Sequence, residues 1–199
     1  MIKSLARLGL VAGLACGLAA CASTIAPRPE LIAAGVSAPV VQGKATLVMS
    51  SAAQSQSITA HPSSFTGGAT TITVPMGQVV KMAGEKVLGA GFSQGAATAE
   101  TALPGTFGVS VEVSNFSFAY DQASNFGLAI TPKVTLQMAA DVRSPDGRTL
   151  LHKTYSKTDA TAGKYAISGD PPEKINEGLH IALGQMFRDL LDDIASAAK

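Results

Sequence analysis

The chain has 199 residues, of which 46% are hydrophobic and 15% are charged, a composition that suits one modest domain with a tail. Its formal charge is +1, and it becomes −1 if Lys3 and Arg7 leave with an amino-terminal signal, since 13 basic residues then face 14 acidic ones. This balance provides no electrostatic footprint for nucleic acid, so we expect no nucleic-acid partner.

The amino terminus has the pattern of a secretory signal. Residues 1–7 carry positive charge, and residues 8–20 are an uncharged run dominated by Leu, Ala, Gly and Val. These features are typical of the n-region and h-region of a signal peptide, and the run is too short to cross a bilayer as a helix. We therefore predict that residues 1–20 form a signal peptide that is removed.

The signal ends in Leu18–Cys21 (LAAC), which resembles the bacterial lipobox: an aliphatic residue three positions before a cysteine, with two small residues beside it. The resemblance implies that the thiol of Cys21 is acylated and that cleavage leaves Cys21 as the first residue. Cys16 is the weaker candidate because Gly13 replaces the aliphatic residue, and we expect it to leave with the signal. A plain secretory signal with incidental cysteines is the alternative.

Acylation of Cys21 would leave the mature chain without a thiol for a disulfide, a zinc site or a catalytic nucleophile. Lasting attachment needs more than one acyl chain, which a multiply acylated cysteine supplies. No Asp directly follows Cys21, and in enterobacterial lipoproteins this implies the outer membrane, with the domain facing the periplasm. Residues 21–43 are predicted to be a lipidated flexible tether of roughly 70 Å at full stretch, and residues 44–199 a single domain.

The first half of this domain predicts short strands and one helix. Residues 44–50 are a strand candidate, and residues 51–68 form a polar loop with one possible strand around Ile58. A loop of this length is either a contact surface or a flexible connector. Residues 70–74 are β-prone, and residues 76–88 carry apolar side chains at helical spacing, with glycines just beyond to end the helix.

Residues 109–120 show the clearest strand pattern. Valines alternate first, and aromatic side chains then alternate in the opposite phase, so the frame changes at Ser114 and Asn115. A β-bulge there would place both sets on one face of a sheet. We expect the aromatic residues to be core rather than a binding platform; they are Phe116, Phe118 and Tyr120.

The rest of the chain predicts a hairpin and a helix. Residues 128–142 alternate apolar with polar, which is typical of a sheet with one wet face; residues 144–147 (SPDG) predict a turn and residues 150–155 the returning strand. Asp170 is the expected N-cap of an amphipathic helix whose apolar stripe ends at Ile194. The order β-α-β-β-β-α predicts an α+β fold, with an antiparallel sheet of three to five strands and two helices on one face.

Residues 91–95, GFSQG, match the nucleophile-elbow pattern G-x-S-x-G and resemble the elbow of acyl-thioesterase and cutinase-like α/β-hydrolases. Asp146 and His180 follow Ser93 in a permissible order, so a lipid-anchored serine esterase using these three residues is the alternative function. Against it, the preceding segment offers at most two strands and predicts a helix directly before the elbow. Because a turn explains Asp146 and an amphipathic helix explains His180, we predict no enzymatic activity.

The remaining polar candidates predict no cofactor and no metal. His61 and His152 lack neighbours at metal-ligand spacing, so each is expected to be a surface histidine. Three acidic residues near the end of the final helix predict a solvated face, with a basic partner as the alternative; they are Asp189, Asp192 and Asp193.

Four features together resemble small envelope lipoproteins of the YajG type: the lipobox, the helix ending in GAGF, the strands VEVSNFSFAY and PKVTLQMAADVRSPDGRTLLHKTY, and the closing helix EKINEGLHIALGQMFRDLLDDI. The resemblance covers most of residues 44–194 and rests on element order and pattern. LptE-like proteins, which assist a lipopolysaccharide-exporting barrel, and auxiliary lipoproteins of lipid-transporting ABC systems share this layout. We therefore expect a non-catalytic lipoprotein, held in the membrane by acyl chains on Cys21, whose polar sheet face or loops bind a protein or lipid partner in envelope assembly or lipid transport.

Overall fold

The computed structural model describes residues 22–64, 70–122, 129–166 and 171–199. The predicted signal peptide, the lipidation candidate Cys21 and the predicted N-cap Asp170 lie outside these residues. The strands are β1 (Ala22–Thr24), β2 (Ala45–Val48), β3 (Ile58–Ala60), β4 (Thr71–Val74), β5 (Ala96–Ala99), β6 (Phe107–Asp121), β7 (Ala129–Arg143), β8 (Thr149–Ala160) and β9 (Tyr165–Ala166). The helices are α1 (Ser51–Gln54), α2 (Met76–Gly91) and α3 (Pro171–Ala197), and a 3-10 turn spans Pro29–Leu31.

The larger sheet has the strand order β5-β2-β6-β7-β8, and β9 adds to the start of β7. Strands β6, β7 and β8 are antiparallel, as predicted. Strand β2, however, pairs in parallel with both β5 and β6. The α+β class is thus confirmed, and the predicted antiparallel pairing is matched in part, by β6, β7 and β8 but not by β2 and β5. The crossover through α2 returns the chain to the sheet as β5 in the direction of β2, and residues 100–106 then lead back so that β6 starts in that same direction.

Strand β6 contains the β-bulge that the alternation predicts. Val113 pairs with Met138, and the next paired residue is Asn115, opposite Gln137, so the register shifts by one residue between them. Val113 and the later aromatic side chains are consequently buried on the same face of the sheet; the buried aromatic residues are Phe116, Phe118 and Tyr120.

Helices α2 and α3 cover one face of this sheet and pack against each other. Their closest approach depends on glycine: a Cβ added to Gly91 would lie 2.2 Å from the side chain of Leu191. A Cβ on Gly84 would likewise meet Leu47 and Phe187, at 2.7 Å and 3.1 Å. Helix α3 begins with two prolines, Pro171 and Pro172, and has the acidic residue Glu173 in its first turn. Within the described part of the chain, no helix is both long and apolar enough to cross a membrane.

A second, three-stranded sheet has the order β1-β4-β3. Strand β1 pairs in parallel with β4, and Ala22 lies opposite Thr71. Strand β3 is antiparallel to β4, and a single bridge just beyond it, between Pro62 and Phe118, connects this sheet to β6. The polar region predicted as a long loop therefore contains α1 and β3, while residues 65–69 within it lie outside the description.

Residues 22–43, which we call the strap, pack on the domain, and this corrects the prediction of a flexible tether. Ile32 is fully buried, and Ile25 and Val41 are each 3% exposed. The 3-10 turn lies in the groove between α2 and α3, where Lys86 of α2 donates to the carbonyl of Pro29 at 2.8 Å. The strap is therefore a part of the folded domain and contributes to its core.

Candidate functional site

The strap is held at the start of α3 by a group of side chains that includes one predicted catalytic candidate. The Arg28 guanidinium forms ion pairs with Glu30 and Glu173. The side-chain amide of Asn176 donates to the carbonyl of Ala26 at 3.0 Å. His180 Nε2 accepts the backbone N–H of Arg28 at 3.1 Å. These contacts fix the path of the chain just after β1.

The imidazole of His180 is fully buried and has both nitrogens engaged. Nδ1 donates to the backbone carbonyl of Asn176 at 2.8 Å, so Nε2 is the acceptor in a neutral ring. Burial lowers the pKa of His180 below its ordinary value, outweighing the nearby carboxylate of Glu30. The histidine therefore joins α3 to the strap and is closed to solvent.

Further along, the strap is bonded to the far halves of both long helices. Arg188 of α3 donates to the carbonyl of Ala33 at 2.6 Å. The carbonyl of Gly91, at the end of α2, accepts the N–H groups of Val40 and Val41 at 2.8 Å and 3.1 Å. The strap thus runs along the whole helical layer before it enters β2.

Ser93 lies in the turn that follows α2 and not between a strand and a helix. Its N–H donates to the carbonyl of Val41 at 3.0 Å, and its Oγ accepts the N–H of Gly43 at 3.0 Å. A nucleophile elbow needs a strand before the serine and a helix after it, whereas here α2 precedes the turn and β5 follows. Ser93 instead secures the carboxyl end of the strap.

Asp146 occupies the predicted turn between β7 and β8. It accepts from the hydroxyl of Ser144 and, at 2.7 Å, from Nε of Arg148. The hydrogen bond from Ser144 is the main reason that the pKa of Asp146 is lowered. No hydrogen bond connects any two of the three alternative catalytic residues, Ser93, Asp146 and His180, since each bonds to other groups.

The face of the larger sheet opposite the helices is polar, as the alternation predicts. Register places its side chains in rows across three strands: Asn115 opposite Gln137, and Gln137 opposite Ser156. Another row contains Asp141 and His152, whose side chains are 2.5 Å apart and more than half exposed. We call this surface the polar face; its members are Glu112, Asn115, Ser117, Thr135, Gln137, Asp141, Arg143, His152, Thr154 and Ser156.

The segment between β5 and β6 folds over one edge of this surface. Thr46 is fully buried there, and its hydroxyl bonds to that of Thr106 at 2.7 Å.

Where β2 ends, a half-open cleft of about 370 Å³ borders the polar face. Its lining combines apolar groups, such as Met49 and Val111, with the carboxylates of Glu112 and Asp141. The cleft could accept a ligand or side chain with an apolar part and a hydrogen-bond donor.

The acidic residues near the end of α3 are largely engaged within the protein. Asp193 accepts from Lys153 Nζ at 2.7 Å and from the hydroxyl of Tyr155 at 2.6 Å, and Asp189 pairs with Lys157 at 2.7 Å. These contacts lower the pKa of Asp193, while burial raises the pKa of Tyr155. Asp189 and Asp192 are exposed, but Asp189 and Asp193 both pair with lysines of β8, so the predicted solvated face is in large part a junction between α3 and β8.

The two surface histidines bond to single neighbours. His61 is exposed and shares a 3.3 Å hydrogen bond with Thr71, and His152 pairs with Asp141. Across the residues that the structure describes, no group of three His, Cys, Asp or Glu side chains is placed to hold a metal ion.

Comparison with protein-family models found no match, and comparison with curated proteins found none either. The residues that sequence reasoning missed are those of the strap. The one signal for them was the presence of isolated large apolar residues, among them Ile25 and Ile32, in a segment otherwise rich in small residues and proline.

Proposed function

We propose that this chain is a bacterial lipoprotein, anchored to the outer membrane through acyl chains on Cys21, whose domain faces the periplasm and binds a protein or lipid partner without catalysis. The observation that carries the proposal is the lipobox-like sequence Leu18–Cys21, which follows a positively charged segment and an uncharged apolar run. The layout of YajG-type lipoproteins, with a hairpin and an amphipathic closing helix, supports the same class. The role would lie in envelope assembly or lipid transport.

The polar face and its cleft are the favoured contact surface. The face mixes acidic, basic and amide side chains, which suits a hydrogen-bonded and weakly charged contact. The neighbouring cleft adds an apolar component from Met49 and Val111. Helices and strap occupy the opposite side of the sheet, so the polar face is the broad strand surface that the described fold leaves to solvent.

Acylation is tested first. We expect mass spectrometry of the mature protein to show an amino-terminal Cys21 carrying a diacylglycerol and an amide-linked acyl chain. Cys21→Ala should move the protein from the membrane to the soluble fraction with its circular dichroism unchanged. Cys16→Ala is the matched control and should leave acylation and fractionation as they are. A bare Cys21 thiol, or membrane attachment that survives Cys21→Ala, would refute the anchor.

The contact surface is tested by photo-cross-linking in intact cells. A photoreactive amino acid at Gln137 or Thr154 places the probe on the polar face, and one at Asp192 places it on the exposed side of α3. We expect one discrete adduct from the polar-face positions and none from Asp192. Equal adducts at all three positions, or none from Gln137 and Thr154, would exclude the polar face as the partner's site.

A further inference from the structure

Resting on the proposed acylation of Cys21, we infer that the end of the domain carrying Ala22 lies directly on the phospholipid head groups of the membrane that holds the acyl chains. We call it the anchor end; it is formed by Ala22, His61, Ser63, Thr71 and the last residues of β6. The domain would stand on this end with the strands of its larger sheet directed away from the bilayer.

The chain between the lipidation candidate and the folded domain is very short. Ala22 already belongs to β1 and pairs with Thr71. Consecutive Cα atoms are about 3.8 Å apart, so a single peptide unit separates an acylated Cys21 from a fixed strand. A free tether of the length predicted from sequence would have allowed roughly 70 Å. The anchor therefore acts as a rigid attachment.

The residues of the anchor end lie together at one end of the described sheets. Ala22 lies opposite Thr71, and Ala60 lies opposite Ile72 on the next strand, so His61 follows at the same end. Pro62 then bridges to Phe118, close to the end of β6. From there β7 runs the length of the sheet to the turn at Ser144–Arg148, roughly 40 Å away.

The strand pairings fix the direction in which the chain after Cys21 runs through the domain. Strand β1 is parallel to β4, β4 is antiparallel to β3, and the bridge beyond β3 is parallel to β6. The chain after Cys21 therefore runs in the direction of β7, from the anchor end toward the far turn. Because the strap is bonded to α3 at Ala26, Arg28 and Ala33, this direction is fixed.

The chemistry of the anchor end suits a head-group surface. Its exposed residues include His61 and Ser63. The Ser63 hydroxyl donates to the carbonyl of Phe118 at 3.2 Å, and the His61 imidazole, which shares a hydrogen bond with Thr71, has a second ring nitrogen that can bond to a phosphate or ester oxygen. Two charge pairs lie close to it: Lys133 with Asp121 at 3.0 Å, and Arg28 with Glu173. Charges that are already paired attract an anionic leaflet only weakly, so the covalent anchor sets the contact.

The experiment uses the mature acylated chain in phosphatidylcholine vesicles that contain head-group spin-labelled lipid. His61→Cys carries a nitrobenzoxadiazole fluorophore at the anchor end, and Arg148→Cys carries it at the far turn, where the Arg148 side chain is 77% exposed. We expect several-fold stronger quenching at position 61 than at position 148. Thermal unfolding monitored by circular dichroism verifies that both labelled proteins are folded.

A spacer variant is the matched control. A Gly/Ser segment of about 20 residues, with a root-mean-square span of roughly 25 Å, is inserted after Ser23 and followed by a repeated Ala-Ser, so that β1 and the residues after Cys21 are retained. The spacer should remove most of the quenching at position 61. Equal quenching at positions 61 and 148 without the spacer, or unchanged quenching with it, would overturn the inference while leaving an acylated protein in place. A bare Cys21 thiol and failure to join vesicles would instead overturn the proposed function.

Discussion

The two faces of the larger sheet come from the same strands but have different surroundings. On one face, Leu136 and Met138 of β7 are fully buried under the helices. Gln137, between them, points to the other face and is exposed. The first face is completed by α2, α3 and the strap, with Ile32 in the groove between the helices. The second remains a polar surface with a cleft at its edge.

This difference shows which parts of the chain determine stability and which are available for contact. Burial on the helix face depends on residues far apart in the chain, including a strap that follows directly on the lipidation candidate. The polar face depends only on the local alternation of β6, β7 and β8, so its outward side chains can change at little cost to the fold. Substitutions on the two faces should therefore give opposite patterns of effect.

The largest expected effect is on the buried face. Ile32→Asp places a charge without a partner at a fully buried position and should reduce the free energy of unfolding by about 4 kcal/mol. Val40→Asp is the matched control in the same strap, because Val40 is 49% exposed, and should change stability by less than about 0.5 kcal/mol. Urea denaturation followed by circular dichroism measures both. If Ile32→Asp left the free energy of unfolding unchanged, the strap would not be packed on the domain.

The second effect is a pH dependence of the strap contact. The folded state holds His180 neutral with a lowered pKa, so the unfolded chain binds one more proton below its ordinary value of 6.5. The stabilisation from this group is fully present above that value and is lost as the pH falls below it. His180→Gln should flatten this part of the curve in urea titrations at several pH values.

Carboxylates whose pKa is lowered affect stability at a more acidic pH than His180 does. The contributions of the histidine and of the carboxylates to the free energy of unfolding can therefore be measured separately. Asp193 is stabilised in its charged form by Lys153 and Tyr155, so its contribution is present at neutral pH and is lost as the pH falls below its ordinary value of 3.8. A slope between about pH 6.5 and pH 5 that persists in His180→Gln would contradict the role given to the histidine.

The third prediction concerns Ser93 and distinguishes a role in holding the strap from a role in catalysis. Ser93→Ala removes the acceptor for the Gly43 N–H and should reduce stability by about 0.5–1 kcal/mol. A fluorophosphonate probe should label neither protein. Labelling of the natural chain that Ser93→Ala abolishes would instead establish the esterase alternative.

The smallest effects on stability are expected on the polar face. Gln137→Ala together with Thr154→Ala should change the free energy of unfolding by less than about 0.5 kcal/mol, because both side chains are exposed. Recovery of the cross-linked partner from cells should fall strongly in the same double variant. A large loss of stability, or an unchanged yield of partner, would remove the contrast between the two faces.

The antiparallel part of the larger sheet could be predicted because each of its strands has a hydrophobic pattern within its own segment of the sequence. The alternation from residue 128 to residue 142, the phase change at Ser114 and the stripe of α3 each report burial directly in the sequence. Strand β5 contains only Ala and Thr and carries no such pattern, so its pairing with β2 could not be predicted. The parallel direction of β2 depends on a crossover between distant segments, which periodicity does not report.

The site was less predictable than the fold because its residues act through distant contacts. His180 looked like a residue of an amphipathic helix, yet its partner is the backbone of Arg28, 152 positions away. The strap was predicted to be flexible because prolines and small residues interrupt any regular spacing of hydrophobic residues. Its burial comes from single side chains such as Ile32. The SPDG turn at Asp146, by contrast, formed as expected from four adjacent residues.

The bulge in β6 has a consequence for how this chain can vary among related sequences. Ser114 is the extra residue that lets valines and aromatics of opposite phase face the same helices. Its deletion would turn one of the two sets toward water, so length at this position should be invariant even where residue type is free. Insertions of one residue are accordingly expected to accumulate beyond Asp121 and never between Val113 and Phe116.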